Sequence, residues 1–398
     1  MIWLCSLLID TRRSFLEEVA VTASTTVQRE RNVRYSTLLQ PNPCAVLGIE
    51  NPLLDIYVNV TKNAGILKKY DLQVGKTILA QEKHFPLFAE LVNDDGEPPK
   101  YLAGGSTLNS IRVTQWMLNA AQKPNCAAFM GCIGNDEFGE HLEKAAREAG
   151  VYTCLFRDKK LPTGTCANLI TDDGERTLVA NLGAAAHFDK YLLDTQVAKQ
   201  LYRSAQYIYI AGFFLDVSAE SCLAMAQYAA NNNKVFCLNL SAPYIIEMYR
   251  NELDNIMLYT DFLFCNDVEA TTFAKKHEVE EDLRRVALWM SALPKRNKRR
   301  PRTVIFTRGS KSTIVAQTGK VTEYPVKPIP RELLVDTSGA GDAFVGGFLS
   351  QLVLGRSAEE SIMAAHWCSR YVLKQSGCSL QAQCDYEDTR EEWYKVVF

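Results

Sequence analysis

The chain has 398 residues, 47% of them hydrophobic and 23% charged, with a formal net charge of −2. This is ordinary globular usage, which excludes a disordered or collagenous chain and offers no whole-chain attraction to nucleic acid or anionic lipid. No continuous apolar run reaches the ~18 residues of a spanning helix, so neither a membrane nor a nucleic-acid partner is expected.

Residues 1–40 differ from the rest. MIWLCSLLI is apolar but lacks a basic leader, and Asp10 follows at once. Arg12, Arg13, Arg29, Arg31 and Arg34 then lie among Ser and Thr, while Glu17, Glu18 and Glu30 spoil a transit-peptide composition. A variable, poorly ordered extension is expected, with organelle targeting as the alternative. From Cys44 onward, β-rich runs (CAVLGI, CAAFMGCIG, QYIYIAGFF, KVFCLNL, DFLFCN, RTVIFTRG) alternate with helical stretches at 106–121, 136–149, 219–231 and 280–292. Strands that are apolar throughout, separated by helices, predict an α/β fold: a mainly parallel sheet with helices on both faces. Asp136 is the expected N-cap of its helix and Gly150 the residue that closes it. Residues 53–60 alternate, and 165–182 read strand, Asp173-Gly174 turn, strand. These antiparallel signals predict a small β-rich appendage placed to cover a site.

The 12 cysteines run from Cys5 to Cys384 with no C-x-x-C pair, several of them inside apolar strands. Reduced structural thiols in a reducing compartment are expected. His277-Glu278 begins an H-E pair, but no histidine follows at i+4, so the zincin motif fails.

DTSGAGDAFVGGFLSQL, residues 336–352, is the strongest local signal. Gly339, Ala340 and Gly341 permit close backbone approach, and a helix follows at once. Its free N–H groups and dipole suit a phosphate or developing phosphoryl charge. Asp342, beside that anion site, is a candidate acceptor for an alcohol proton, with helix capping as the bland alternative. Capping leaves the Gly346-Gly347 pair unexplained. Two look-alikes fail: Gly75-Lys76-Thr77 lacks the first Walker glycine because Tyr70 stands there, and Phe344 breaks a dinucleotide fingerprint. In AGGSTLNS, Gly104-Gly105 with Ser106 and Asn109 could clamp a polyhydroxylated ligand, or Ser106 could simply cap a helix. Asn51 and Asp55 add an amide and a carboxylate near a strand end. Asn266 and Glu269 read either as a capping box or as a pair ordering Mg²⁺ through its waters. LPKRNKRRPR, with six Lys/Arg between Lys295 and Arg302, reads as a solvated basic loop or a nuclear-localisation patch.

These motifs resemble the ribokinase-like, PfkB-type carbohydrate and nucleoside kinases. GIENPLLDI, AGGSTLNS, GCIGNDEFGE, PTGTCANLI, ERTLVANL, YIAGFFL, LNLSAP, FCNDVEA, VIFTRGS and DTSGAGDAFVGGFLSQL run in family order from about residue 46 to about 380. NPLLDI, GFFL and LNLSAP point to the branch acting on adenosine. The resemblance implies a kinase domain over 41–398 with a small β-rich lid from about 53–105 and 163–185. It implies transfer of the ATP γ-phosphoryl group to the adenosine 5′-hydroxyl, giving AMP and ADP in purine salvage. Asp342 would be the base, Gly339, Ala340 and Gly341 the anion hole, and Arg176 a lid cation approaching the transferring phosphate. Asp55 would hold the ribose hydroxyls with Gly104, Gly105, Ser106 and Asn109, while Asn51, Leu53, Cys166, Leu178, Ala180 and Phe214 line the nucleoside pocket. Asn239, Thr307, Gly309 and His366 would lie near ATP, and Asn266 and Glu269 would organise Mg²⁺. Ser338 and Gly183 depart from the family pattern; the first is expected to alter an ATP contact and the second to loosen the lid. A cytoplasmic monomer is expected, with nuclear entry resting on the basic run. A kinase for another nucleoside or a sugar, and a non-enzymatic binding protein of this fold, are the alternatives.

Overall fold

The computed structural model describes residues 33–35, 44–61, 65–93, 99–171, 176–279 and 282–386. The apolar runs become the middle of a ten-stranded sheet among these residues. In spatial order it comprises β1 (Val33–Tyr35), β7 (Tyr152–Asp158), β6 (Ala127–Gly134), β2 (Val46–Ile49), β10 (Tyr207–Ala211), β11 (Val235–Asn239), β12 (Phe262–Asn266), β13 (Thr303–Arg308), β14 (Lys311–Gln317) and β15 (Lys320–Tyr324). Every pairing from β7 to β13 is parallel, and the edges are antiparallel. All eight positions of β6 are buried, which is why an unbroken apolar run was required there. One face packs on helices Gln196–Ser204, Leu215–Asn231, Asp267–Lys276 and Leu283–Ala292, the other on Ser106–Ala120, Glu137–Glu148, Ala340–Val353 and Ala358–Val372.

Asp136 caps its helix by accepting from the Gly139 N–H at 2.9 Å, and Gly150 follows with φ +81°. The helix expected from 219 begins at Leu215, because the 3₁₀ turn Gly212–Phe214 runs straight into it, and it kinks at Ser218. The helix expected from 280 begins at Leu283, where Asp282 accepts from the N–H groups of Arg284 and Arg285.

A second sheet runs β4 (Thr77–Leu79), β9 (Arg176–Asn181), β8 (Thr165–Ile170), β3 (Leu53–Asn59), β5 (Lys100–Gly104). Its strands come from two distant stretches of chain, and the Asp173-Gly174 turn lies outside the described residues. Alternation sorts its side chains. Ile56, Val58, Leu169 and Val179 join Leu87 and Leu91 in a separate small core, while Asp55, Cys166, Leu178 and Ala180 face a cavity on the other side.

The N-terminal reading needs narrowing. Val33–Tyr35 forms an edge strand paired antiparallel with β7; the rest of 1–40 lies outside the described residues. The basic run is half turned inward. Lys295 Nζ donates to Asp261 at 2.6 Å, Arg300 lies 3.5 Å from the same carboxylate, and buried Arg302 donates to the carbonyls of Met290, Leu293, Pro294 and Met257. None of the eleven described cysteines forms a disulfide. Among the described residues no helix is long and apolar enough to cross a membrane.

Candidate active site

The strand order reverses between β2 and β10, and α/β sheets bind ligands in the crevice beyond the carboxyl ends at such a switch. A cavity of about 840 Å³, its open mouth included, lies there beneath the second sheet. Asn51 follows β2 and donates from Nδ2 to the Phe213 carbonyl at 3.1 Å, tying the ends of β2 and β10 together. Leu53, Asp55, Gly105, Ser106, Asn109, Cys166, Leu178, Ala180, Gly339 and Asp342 also line the cavity. Gly104 does not. It pairs with Leu53, and a Cβ there would stand 2.3 Å from the Asp55 carboxylate, so this glycine makes room for Asp55. Gly105, with φ +93°, starts the helix Ser106–Ala120 in a conformation that side chains resist.

Asp342 lies in the first turn of Ala340–Val353, behind Gly339 at φ +75°. Its oxygens do not cap that helix. Ser106 Oγ donates to Oδ1 at 2.6 Å and Asn109 Nδ2 to Oδ2 at 3.0 Å. Burial raises its pKa, and those two bonds hold it back. Burial lifts Asp55 to about 7; a hydrogen bond from Asn168 opposes this, and the Asp342 and Asp336 charges add to it.

Several lining groups were not foreseen. Glu50 is buried and accepts from the Thr107 N–H; burial lifts it to about 8, with the Asp342 charge adding. Phe213, Asp216 and Tyr244 also line the cavity. Phe214 does not: it is fully buried and meets Phe188 edge-on at 5.2 Å. Successive side chains of a 3₁₀ turn diverge by about 120°, so only one of the two phenylalanines can face the ligand. The sole sequence signal was the adjacent aromatic pair, which leaves the choice of side open.

A groove of about 1130 Å³ lies on the far side of the same turn, lined by Thr307, Gly309, Ala340, Gly341 and His366 with Arg308, Lys327 and Arg370. His366 Nε2 lies 2.8 Å from Thr313 Oγ1, and burial with Arg370 lowers its pKa to about 4, so the ring is neutral. Asn239 is elsewhere: its side-chain oxygen accepts from the Ser241 N–H at 3.1 Å, and it lines neither space. Ser338 lines the first cavity and not the groove.

Arg176 also lines neither. Its Nε lies 2.5 Å from Asp336 Oδ1, both side chains are buried, and the guanidinium sits 5.7 Å from the Tyr57 ring centre. Asp336 further accepts from the N–H groups of Ser338 and Gly377, each at 2.6 Å. The arginine therefore fastens the second sheet to the start of the 336–342 turn and does not point at the groove, since its nearest buried carboxylate holds it.

Asn266 and Glu269 form a capping box. Glu269 N–H donates to Asn266 Oδ1 at 2.8 Å, Asn266 N–H to Glu269 Oε2 at 3.0 Å, and Asn266 Nδ2 to Glu269 Oε1 at 2.6 Å. Every oxygen of the pair is occupied and neither residue lines the groove, so the pair does not fit a directly bound metal. Among the described residues, no group of three or more His, Cys, Asp or Glu could hold a metal ion. Gly183, at φ +48°, has a packing reason to be glycine: a Cβ there would lie 2.4 Å from the Pro162 carbonyl. Gly346 and Gly347 serve packing, since a Cβ on the first would meet Ser110 and Val113, and on the second Ala364 and Cys368, all under 3 Å.

The model of the pfkB family of carbohydrate kinases matches residues 69–383. Adenosine kinase 1 of Arabidopsis thaliana is 44% identical over 342 residues, covering 86% of this chain and 97% of the relative. The crystal structure of Anopheles gambiae adenosine kinase in complex with P1,P4-di(adenosine-5) tetraphosphate superposes with a TM-score of 0.80 at 42% identity, covering 85% of this chain and 98% of the other. Adenosine kinase from Schistosoma mansoni in complex with adenosine and AMP gives 0.79 at 31% identity, covering 87% and 100%. With its Asp342-bearing turn set between two cavities at a sheet's switch point, the chain belongs to the pfkB carbohydrate kinase family, in the adenosine kinase branch.

Proposed function

We infer that this chain transfers the γ-phosphoryl group of ATP to the 5′-hydroxyl of adenosine, giving AMP and ADP. One observation carries the reading: the Gly339–Asp342 turn is a wall shared by two cavities, its carboxylate facing one and Ala340 and Gly341 facing the other. The nucleoside occupies the first, with its ribose at Asp55 and Asn109 and its base against Phe213; the aromatic wall favours a base-bearing substrate over a free sugar. ATP occupies the groove with its phosphates at the helix N-terminus.

Ser106 and Asn109 hold Asp342 with both oxygens placed to accept a proton, and its raised pKa makes it a better base than an exposed aspartate. The 5′-oxygen, as its proton passes to Asp342, attacks the γ-phosphorus in line while ADP leaves from the opposite side. The Ala340 N–H bonds back to the Thr337 carbonyl, but those of Gly341 and Asp342 have no carbonyl one turn behind them. They are aimed where charge builds on the transferring group. Arg176, tied to Asp336, acts by positioning that turn.

Magnesium enters this reading on the phosphates of ATP, where it neutralises charge, because such an ion keeps most of its waters and needs few protein groups. Described cysteines that form no disulfide support a reducing, cytoplasmic setting, and a monomer is the accompanying proposal. A coupled ADP-release assay with ATP-Mg²⁺ and a panel of nucleosides and ribose tests the function. No turnover of adenosine, or a clear preference for ribose, would sink it.

A further inference from the structure

The nucleoside cavity carries a polar pair that phosphoryl transfer leaves unused. Tyr244, in helix Pro243–Met248, and Asp216, in the first turn of Leu215–Asn231, both line it. The ring centres of Tyr244 and Phe213 are 6.3 Å apart at 35°. The pair therefore sits on the aromatic wall, where a flat base rests, and not among the groups that meet the sugar.

The Tyr244 hydroxyl donates to Asp216 Oδ2 at 2.7 Å. Burial, reinforced by the Asp216 charge, holds its proton far above the ordinary phenol range. A phenol has one proton to give; once that proton is committed to Asp216, the oxygen can only accept from anything else. The carboxylate is an acceptor too, and Tyr249 approaches it as a second hydroxyl. No Lys, Arg or His lines the cavity. The wall thus offers acceptors and lacks a cationic donor. An exocyclic amino group on the base supplies the donor that this wall wants, whereas a ring carbonyl at the same place brings acceptor against acceptor.

We propose that the Tyr244 hydroxyl, with Asp216 as its positioning residue, accepts a hydrogen bond from the exocyclic amino group of the base, so that the site selects 6-amino over 6-oxo purine nucleosides. This rests on the nucleoside-kinase reading above.

The test is kcat/KM for adenosine, purine riboside (the same ring without the amino group) and inosine, in the wild type, Tyr244→Phe and Asp216→Asn, with thermal melting as the folding control. The wild type should prefer adenosine over purine riboside by ~10-fold and over inosine by more, since a site built around a hydrogen bond rejects what cannot make it. Tyr244→Phe should use adenosine and purine riboside alike. In Asp216→Asn the new amide can donate to the Tyr244 oxygen and turn the tyrosine proton toward the base, so the inosine-to-adenosine ratio should rise ~10-fold above that of Tyr244→Phe. Folded variants that keep the wild-type ratios, or lose all three substrates equally, would overturn the proposal. So would a wild type that treats adenosine and purine riboside alike, a result that does not depend on either variant folding. A wild type inactive on all three would overturn the kinase reading and this proposal with it.

Discussion

The two cavities meet at one turn and are lined by opposite kinds of ionisable group. Glu50, Asp55, Asp216 and Asp342 line the cavity beneath the second sheet, with no Lys, Arg or His among the lining residues. Arg308, Lys327, Arg370 and the neutral His366 line the other, with no Asp or Glu. A neutral, hydroxyl-rich ligand fits the first without electrostatic cost, whereas a polyanion there would face four carboxyls. The second suits that polyanion. The fold sorts acceptor from donor by field before any detailed contact is made.

Breaking the shared wall should have the largest effect. Asp342→Asn keeps the shape and the Ser106 contact but removes the proton acceptor. We expect kcat to fall by ~10²–10⁴ while KM for adenosine and ATP stays within a few-fold. An active mutant would return Asp342 to a structural role and leave the two cavities without chemistry between them.

Asp55→Ala sharpens the contrast from the acidic side alone. Removing a buried acceptor should raise KM for adenosine by about 10²-fold and leave KM for ATP unchanged. 2′-Deoxyadenosine, lacking one of the hydroxyls that Asp55 is argued to hold, should be a poor substrate of the wild type. Its efficient use would place the ribose elsewhere.

The concentration of carboxyls also has a pH signature. Burial lifts Glu50 to about 8 from its ordinary 4.5, with Asp342 adding to it. Between those values the folded protein holds a proton on Glu50 that the unfolded chain has released, so stability must fall as pH rises through that window. Glu50→Gln carries no titrating proton and should flatten that decline. The mutant should melt higher than the wild type at pH 9, and the gap should shrink toward pH 4. A gap that does not change with pH would mean that Glu50 acts through packing alone.

The large sheet and the Gly339–Asp342 turn between the cavities are legible because each rests on local pattern: apolar runs of strand length, and three small residues before an aspartate at a helix start. What escaped was made by distance in the chain. Nothing local marks the glutamate before Asn-Pro as buried, and its partner, the Thr107 N–H, comes from the helix beginning at Ser106. Asp216 and Tyr244 belong to different helices, and neither type announces the other. Arg176 reads as a lid cation approaching a phosphate because Asp336, its partner, is 160 residues away; the turn it steadies is recognisable in the sequence, the tie is not. Gly346-Gly347 stays unexplained by capping in the sequence because close approach to a ligand and close approach to two helices leave the same mark there.

Asn266 and Glu269 lie outside both charged territories, and they offer the smallest expected effect and a check on where those territories end. Their hydrogen bonds are spent on each other at the start of helix Asp267–Lys276. Glu269 is 4% exposed, and its carboxyl is lifted to about 7 by burial. A group in that state is a poor partner for a dication, which needs an open anionic oxygen. Glu269→Ala should therefore cost about 1 kcal/mol of stability, the usual worth of a cap, read as a lower melting temperature. The Mg²⁺ concentration for half-maximal activity and kcat should stay within twofold of the wild type. A mutant that melts normally but needs ~10-fold more Mg²⁺ would move this pair out of the capping role and extend the acidic territory across the turn into the nucleotide groove.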